Sequence, residues 1–336
     1  MGIKIGPIVT RGNVFLAPMS GVTDEPFRTL AREHGADLVI SEMVASEALA
    51  KEKDDYVRRA RRPEGSGVHV VQIAGREARW MTEGAKVARA AGADVVDINM
   101  GCPARQVTNG LSGSALMRDL DHALTLIEAT VAAVDCPVTL KMRLGWDGDC
   151  LNAPELARRA EAAGIAMVTV HGRTRCQFYT GAADWSAIAT VKRAVSIPVV
   201  ANGDIVDLAS ARAALVASGA DAVMIGRGAY GRPWLPGLVS EGLRTGRMPP
   251  PPGRSALLDL VKRHYHAMLA LYGRCLGVRC ARKHIGWYLE AAVEIGCLAA
   301  EDLRPWRQAL CRADDPDEVV AGLDACFADT QERLVA

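Results

Sequence analysis

A cysteine between a glycine and a proline is the residue in this chain best placed to do chemistry. Cys102 lies in Gly101-Cys102-Pro103, directly after an apolar run, and the glycine-rich stretch Asn109-Gly110-Leu111-Ser112-Gly113-Ser114 follows it. A thiol at such a turn can donate a proton near neutral pH once its pKa is tuned. A glycine-rich loop beside it can move and cover a substrate. The commoner fate of a free cysteine is a small buried hydrophobe. That reading suits Cys136, Cys297 and Cys326, which sit in apolar runs. The nine cysteines include no CxxC pair, so a disulfide framework is not expected and a reducing cytoplasm is. His264-x-His266 with Cys275 and Cys280 has no clean ligand spacing in its helical context, and no metal site is expected there.

Further polar residues close other short apolar runs. Gln72 ends one, Asn99-Met100 leads into the Cys102 turn, and Lys141-Met142-Arg143, His171-Gly172-Arg173 and Asn202-Gly203-Asp204 end three more. Ala17-Pro18-Met19-Ser20-Gly21 closes the first run and Gly226-Arg227-Gly228 the last. Each residue alone is explained by a strand-end hydrogen bond to a loop. Together they form a ring of donors suited to a planar, electron-rich heterocycle carrying a phosphate. Gly226-x-Gly228-x-x-Gly231 matches the dinucleotide fingerprint, but no strand follows to complete a βαβ unit. Gly203, Asp204, Gly226 and Arg227 therefore read as a monophosphate cradle.

The elements that must hold these residues are legible from periodicity. Eight apolar runs read as parallel strands buried on both faces: Val14–Ala17, Leu38–Ser41, His69–Ile73, Val95–Met100, Pro137–Met142, Met167–His171, Pro198–Asn202 and Ala222–Ile225. Amphipathic helical patterns separate them, among them Glu25–His34, Arg76–Ala91, Ala123–Val134, Ala153–Ala163 and Leu208–Ser218. Gly35, Gly92, Gly164 and Gly219 mark helix ends before the next strand. Eight such units predict a (β/α)8 TIM barrel, whose chemistry gathers at the C-terminal strand tips. The run Met248-Pro249-Pro250-Pro251-Pro252-Gly253 is a stiff linker. Beyond it the sequence is helical without strands, over about Ser255–Leu271, Val278–Ala292, Pro305–Arg312 and Asp317–Leu334. The expected organisation is a catalytic barrel over residues 1–247 and a small all-helical domain over 248–336.

Composition excludes several classes. The chain has 336 residues, 49% hydrophobic and 24% charged, with a formal net charge of +1. That is a globular balance, neither disordered nor fibrous nor supercharged. No segment reaches the ~20 apolar residues of a membrane span. The charge is nevertheless uneven. Residues 254–283 carry seven Lys or Arg and one acid, whereas residues 284–336 carry four Arg and eleven acids. A basic face on the helical domain points to a polyanion; a solvated face balanced by the acidic tail is the alternative.

These residues carry a resemblance. Ala17-Pro18-Met19-Ser20-Gly21-Val22-Thr23-Asp24, Asp97-Ile98-Asn99-Met100-Gly101-Cys102-Pro103 and His171-Gly172-Arg173-Thr174-Arg175 resemble the tRNA-dihydrouridine synthase family, as do Ala201-Asn202-Gly203-Asp204 and Gly226-Arg227. Ala281-Arg282-Lys283-His284 brings the chain nearest to the bacterial B-type branch. Ser20 stands where Ala is usual in the family, and Arg105-Gln106 where a Lys pair is frequent. The resemblance implies an FMN enzyme that reduces the C5–C6 double bond of a tRNA uridine, in the D-loop, with NADPH as reductant. It implies flavin contacts at Pro18, Met19, Ser20, Gln72 and Lys141, and phosphate contacts at His171, Asn202, Gly203, Asp204, Gly226 and Arg227. It assigns hydride transfer from the flavin to uracil C6 and proton donation to C5 by Cys102. Asn99, Arg143, Arg173, Arg279, Arg282 and Lys283 are the expected substrate-binding residues. No obligatory protein partner is evident. Two other readings of the same residues remain at this point: a flavin-dependent dehydrogenase of a free pyrimidine, of the dihydroorotate type, and a non-catalytic RNA-binding barrel.

Overall fold

The computed structural model describes residues 2–63, 65 and 67–328. A two-stranded antiparallel hairpin, β1 (Lys4–Ile5) and β2 (Ile8–Val9), opens the chain. Nine parallel strands follow: β3 (Val14–Leu16), β4 (Leu38–Val39), β5 (Val44–Ala45), β6 (Val70–Ala74), β7 (Val95–Met100), β8 (Val138–Arg143), β9 (Met167–His171), β10 (Val199–Asn202) and β11 (Ala222–Ile225). Their order, β4-β3-β11-β10-β9-β8-β7-β6-β5, is that of a barrel opened at one seam. The seam lies inside the second barrel position. A parallel bridge from Ile40 to Val70, with the Ser41 N–H donating to the Val70 carbonyl, joins β4 to β6 and closes the ring. The fold is a TIM barrel followed by C-terminal helices.

The second strand therefore departs from the sequence expectation. It is broken into β4 and β5 by Ser41-Glu42-Met43. Ser41 turns its hydroxyl to the Glu42 carbonyl and accepts the Gln72 N–H, while the buried Glu42 carboxylate accepts the Gly21 N–H. These side chains replace ladder bonds and tie the break to the first strand tip.

Alternation along the strands divides the barrel into two cores. Outward residues such as Val71, Ile73, Val96, Ile98, Leu140 and Val168 pack against the surrounding helices. Inward residues Phe15, Leu38, Val70, Val95, Met167, Val200 and Met224 form a separate interior cluster. Ile3 and Ile5 of the hairpin join that cluster, so the hairpin plugs the barrel floor. Nearer the C-terminal tips the inward positions turn polar. Register places Gln72 beside Asp97 and Asp97 beside Thr139, then Asn99 beside Lys141, then Arg143 beside His171 and His171 beside Asn202.

The covering helices of the barrel are α1 (Glu25–Glu33), α2 (Ser46–Ala50), α3 (Asp54–Ala60), α4 (Ala78–Ala90), α5 (Arg105–Thr108), α6 (Leu120–Val131), α7 (Ala153–Ala162), α8 (Trp185–Ala194), α9 (Leu208–Ser218) and α10 (Leu235–Thr245). Side-chain caps start several of them: Asp24 on α1, Asp119 on α6, Asp184 on α8, and a reciprocal Asp207–Ser210 box on α9. Gly35, Gly92, Gly164 and Gly219 all have positive φ, as the turns from helix into strand require.

Among the described residues four helices follow the proline run: α11 (Arg254–Tyr272), α12 (Arg274–Glu294), α13 (Ala300–Arg312) and α14 (Pro316–Phe327). Only Gly273, at φ 76°, separates the first two, so α12 starts four residues before the sequence expectation. Pro305 lies inside α13 rather than at its start. Six residues into the helix, this proline has no N–H to give the Glu301 carbonyl and its ring crowds that carbonyl. The part of the expected last helix beyond residue 328 lies outside the described residues. Leu30 of α1 and Trp234 join the core of these helices. At the junction Tyr272 donates to Asp24 at 3.0 Å, and Phe27 packs against the rings of His264 and His284, which also touch each other. Tyr230, just after β11, stacks on Trp287 with ring centroids 4.1 Å apart. No helix among the described residues is long and apolar enough to cross a membrane.

Candidate active site

A cleft of about 720 Å3 opens over the C-terminal strand tips. That lies within the roughly 300–1,000 Å3 of small-molecule sites. Pro18, Met19, Ser20, Gln72, Asn99, Cys102, Lys141, Arg143, His171, Asn202, Gly203, Asp204, Gly226 and Arg227 all line it. Residues spread along most of the barrel sequence thus meet because each ends a strand of one closed ring. Arg173 lies just behind the lining, and Arg279, Arg282 and Lys283 are on α12 outside the cleft.

One network fixes the Lys141 side of the cleft. The Asn202 Nδ2 donates to the Met224 carbonyl at 2.8 Å, which turns its Oδ1 towards Lys141 Nζ at 3.2 Å and His171 Nδ1 at 2.8 Å. His171 therefore carries its proton on Nδ1. Burial, then the charges of Lys141 and Arg143, hold its pKa well below the ordinary value, so the ring is neutral. Lys141 is itself pulled down to about 8, chiefly by burial and then by Arg143, against the attraction of Asp97 and Cys102. It stays charged at neutral pH with one neutral hydrogen-bond acceptor. An ammonium has three donors to satisfy, and the remaining ones face a cleft that can supply an acceptor.

A second network holds the Cys102 turn. Asn99 Oδ1 accepts the N–H groups of Gly101 at 3.1 Å and Cys102 at 2.9 Å. The Cys102 carbonyl accepts from both the N–H and the hydroxyl of Ser114. Gly113, at φ 59°, has no room for a side chain: a Cβ there would lie 2.8 Å from the Cys102 carbonyl oxygen. Arg143 donates to the Gly101, Thr174 and Phe178 carbonyls at 2.7–2.9 Å, and burial lowers it to about 10. It clamps the Cys102 turn to the loop after β9. The half-buried thiol thus sits on a turn held from three sides.

The expected phosphate end is more elaborate than a glycine cradle. Asp204, in the left-handed region at φ 53°, accepts from Arg173 Nη2 at 2.5 Å, from the Ala183 N–H at 2.8 Å and from Arg227 at 3.4 Å. Burial raises its pKa, but these donors outweigh it and the net shift is downward. Arg173 is 2% exposed and also donates to the Thr180 and Gly181 carbonyls. Gly228 passes so close to the chain after β10 that a Cβ would lie 2.5 Å from the Ile205 carbonyl oxygen. Gly228 alone of the Gly-x-Gly pair serves this close approach of two loops. At Gly226 the cleft is open, a Cβ meeting nothing nearer than 3.8 Å.

Two residues of the site escape sequence reasoning, Asp97 and Tyr179. Asp97 enters there only as part of a motif, yet an acid at an inward position of an apolar strand, two residues before Asn99, is a legible signal of a buried polar layer. Tyr179 rests over Arg227 and Arg143, at 4.6 and 5.5 Å. Its place in a long loop after β9 gives no periodic signal.

The basic stretch of residues 254–283 is largely matched by acids. Lys262 pairs with Asp324, Arg263 with Glu33, Arg274 with Asp315 and Asp317, and Arg282 with Asp314. Arg279 and Lys283, one turn apart on α12, are exposed and form no ion pair among the described residues. The Lys283 ammonium lies 3.0 Å from where a Cβ on Gly21 would be, beside the cleft rim. The charge pattern therefore divides: most of these cations are balanced by acids, and two face solvent.

A family model described as dihydrouridine synthase (Dus) matches residues 15–332. A probable tRNA-dihydrouridine synthase of Rhodobacter capsulatus is 54% identical over 95% of this chain and 95% of its own length. One of Rhizobium leguminosarum is 52% identical over 96% and 98%. The tRNA-dihydrouridine synthase B of Pseudomonas putida is 48% identical over 85% of each chain. Among solved structures, histamine dehydrogenase from Rhizobium sp. 4-9 superposes with a TM-score of 0.56 at 15% identity, covering 79% of this chain and 50% of that one. That likeness is one of fold. The match over nearly the whole length, together with the strand-tip residues it contains, shows that this chain belongs to the dihydrouridine synthase family.

Proposed function

We propose that this protein reduces the C5–C6 double bond of a uridine in tRNA, in the D-loop, using FMN with NADPH as reductant. The observation that carries the proposal is the joint geometry of one cleft: a thiol on a clamped turn at its rim, and a largely buried, incompletely satisfied ammonium in its wall. The residues fit a flavin and its phosphate. Lys141 needs a further acceptor, the backbone of Pro18-Met19-Ser20 edges the cleft, and Gly226 leaves open space beside Arg227. Four cations, Lys141, Arg143, Arg173 and Arg227, face two carboxylates, Asp97 and Asp204, which favours an anion.

When bound and reduced, the flavin supplies a hydride to uracil C6. Lys141 would supply that group with a fixed positive charge, worth more in this enclosed site than in water. Neutral His171 and Asn202 hold that ammonium in place. Cys102 donates its proton to C5, so that the base gains one hydride and one proton and the thiolate left behind recovers its proton from water. Arg143 keeps the turn that carries the thiol at its station. The uracil must leave the folded tRNA to reach this cleft. Lys283 beside the cleft rim and Arg279 one turn away on α12 supply contacts to the RNA backbone, which position without reading sequence.

The test is direct. Incubated with NADPH and tRNA lacking dihydrouridine, the purified protein is expected to convert one uridine position to the reduced nucleoside, seen by mass spectrometry after nuclease digestion. Tests with orotate and free uracil separate this reading from a small-molecule dehydrogenase. Reduction of a free pyrimidine with none in tRNA would overturn it.

A further inference from the structure

Beneath the cleft lies a layer of side chains that begins away from both the expected cofactor phosphate and the thiol. Asp97 is 3% exposed and bonds through both oxygens: Thr139 Oγ1 donates at 2.6 Å and Gln72 Nε2 at 2.7 Å. Gln72 Oε1 in turn accepts from Asn99 Nδ2 at 2.8 Å. Asn99 Oδ1 then accepts the Gly101 and Cys102 N–H groups. Side chains on β6, β7 and β8 are thereby joined in series to the turn after β7.

The series has a direction. A primary amide has an acceptor end and a donor end of nearly the same shape, so Gln72 and Asn99 would each fit either way round. An ionised carboxylate accepts only, and at 2.7 Å it compels Gln72 to present its nitrogen. Gln72 must then offer oxygen to Asn99, and Asn99 must offer nitrogen to Gln72 and oxygen to the turn. The backbone N–H groups of Gly101 and Cys102 donate only, which is the polarity they need. Were Gln72 to turn over, Asn99 would follow and set two N–H groups against its own NH2. In a buried site that leaves donors unsatisfied.

We propose that Asp97 is a positioning residue for Cys102, acting through the orientation of two amides, Gln72 and Asn99. The inference deepens the functional reading above and rests on Cys102 being the proton donor there. Its position in the fold supports it. Register sets Gln72, Asp97 and Thr139 side by side on adjacent strands, so the carboxylate reaches the thiol's turn through these amides. Burial raises the Asp97 pKa, while the hydrogen bonds from Thr139 and Gln72 and the charge of Lys141 act the other way.

The experiment compares Asp97→Ala, Asp97→Asn and Thr139→Val in the flavin-loaded full-length protein. The first readout is alkylation of Cys102 by iodoacetamide, resolved by peptide mass spectrometry between pH 6 and 9. The second splits turnover into flavin reduction by NADPH and flavin reoxidation by tRNA. Asp97→Ala is expected to change Cys102 alkylation at pH 7, because a loosened turn no longer holds the thiol at one place on the cleft wall. It should slow the tRNA step by about tenfold or more, the scale of a misplaced reacting group, while NADPH reduction stays near wild type. Asp97→Asn is expected to restore both readouts to within about threefold, since the new amide can turn its oxygen to Gln72 and its NH2 to the Thr139 hydroxyl. Thr139→Val removes a buried hydrogen bond yet leaves the amides oriented, so it should lower thermal stability and spare both readouts. Wild-type alkylation and a wild-type tRNA step in Asp97→Ala would overturn the proposal. So would equal losses in Thr139→Val, which would make the effect one of general packing. If Asp97→Ala does not fold, Asp97→Asn against the double variant Asp97→Asn/Thr139→Val decides. The double variant leaves the NH2 of the introduced amide without an acceptor and must be the slower at the tRNA step; equal rates contradict the relay. Failure of tRNA to reoxidise the wild-type flavin would sink the functional reading instead, and the alkylation series would still test the relay.

Discussion

The cleft and the face of α12 both carry several cations, and the two regions use them differently. In the cleft, Arg143 and Arg173 are buried and held by three or more bonds each, several of them to backbone carbonyls. On the helices, Lys262, Arg263, Arg274 and Arg282 pair with carboxylates that remain partly in water. Buried charges are costly unless geometry compensates, so each has one position. Exposed pairs contribute about 0–1 kcal/mol and can exchange partners. The cleft is built for a fixed arrangement of a few atoms. The helical face, on the functional reading proposed above, meets a polyanion whose phosphates can be taken by any free cation within reach.

That contrast predicts steep single-residue effects in the cleft. Cys102→Ala should leave flavin bound and reducible by NADPH while tRNA turnover falls about 100- to 10,000-fold, the range for general acid catalysis. Substantial activity in that variant would remove the proton-donor role and, with it, the reason for the clamped turn.

The next largest effect concerns Lys141. Its ammonium is present below about pH 8 and is lost above it. A pKa depressed below the unfolded value means that burial costs stability while the group is charged. Unfolding of the flavin-free protein should therefore become harder as pH rises through about 8 towards the ordinary lysine value, and Lys141→Met should abolish that rise. Affinity for the anionic flavin should move the opposite way, weakening above about pH 8 in the wild type and staying flat in Lys141→Met. A flat wild-type titration would remove the charge from the account of the site. His171, neutral in the folded protein, should add no step near pH 6.5 to flavin affinity.

Effects on the helical face should be smaller and confined to tRNA. Arg279→Glu with Lys283→Glu is expected to raise the tRNA KM about tenfold, weaken the salt dependence of binding and leave NADPH oxidation by bound flavin unchanged. Arg282→Glu alone should do less, because its guanidinium already faces Asp314. Filter binding at several salt concentrations measures both. Equal effects at Arg282 and Arg279 would mean that the ion pairs open on RNA and that the whole stretch acts as one patch. The smallest effect belongs to Lys262→Ala, whose exposed pair with Asp324 should change the free energy of unfolding by no more than about 1 kcal/mol in a denaturant titration.

The same contrast governs how much is legible in the sequence. Strand tips are readable because a parallel strand buried on both faces is apolar until it leaves the barrel, so Gln72, Lys141, His171 and Asn202 stand out where the apolar run ends. The barrel then brings them together by closure alone. The break at Ser41-Glu42-Met43 is not readable, since its cause is a carboxylate satisfying Gly21 beyond another strand. The extent of α12 is hidden by Gly273, which reads as a wide gap but costs one residue of turn. Net charge along residues 254–283 describes composition without pairing: Arg263 is neutralised by Glu33, 230 positions away, and Lys262 by Asp324 near the other end. Asp97 is easily passed over because an acid inside an apolar strand looks like an exception, when inward alternation makes it the base of the network under Cys102.

The central claim is that one cleft passes reducing equivalents to a base in tRNA. The most direct measurement is anaerobic. The flavin-loaded protein is reduced with NADPH, unmodified tRNA is added, and the return of the oxidised-flavin absorbance is followed in a stopped-flow instrument. The account predicts rapid reoxidation by tRNA and none by orotate or free uracil. Reoxidation by a free pyrimidine alone would contradict it and leave the cations Arg279 and Lys283 of α12, unpaired among the described residues, without a role.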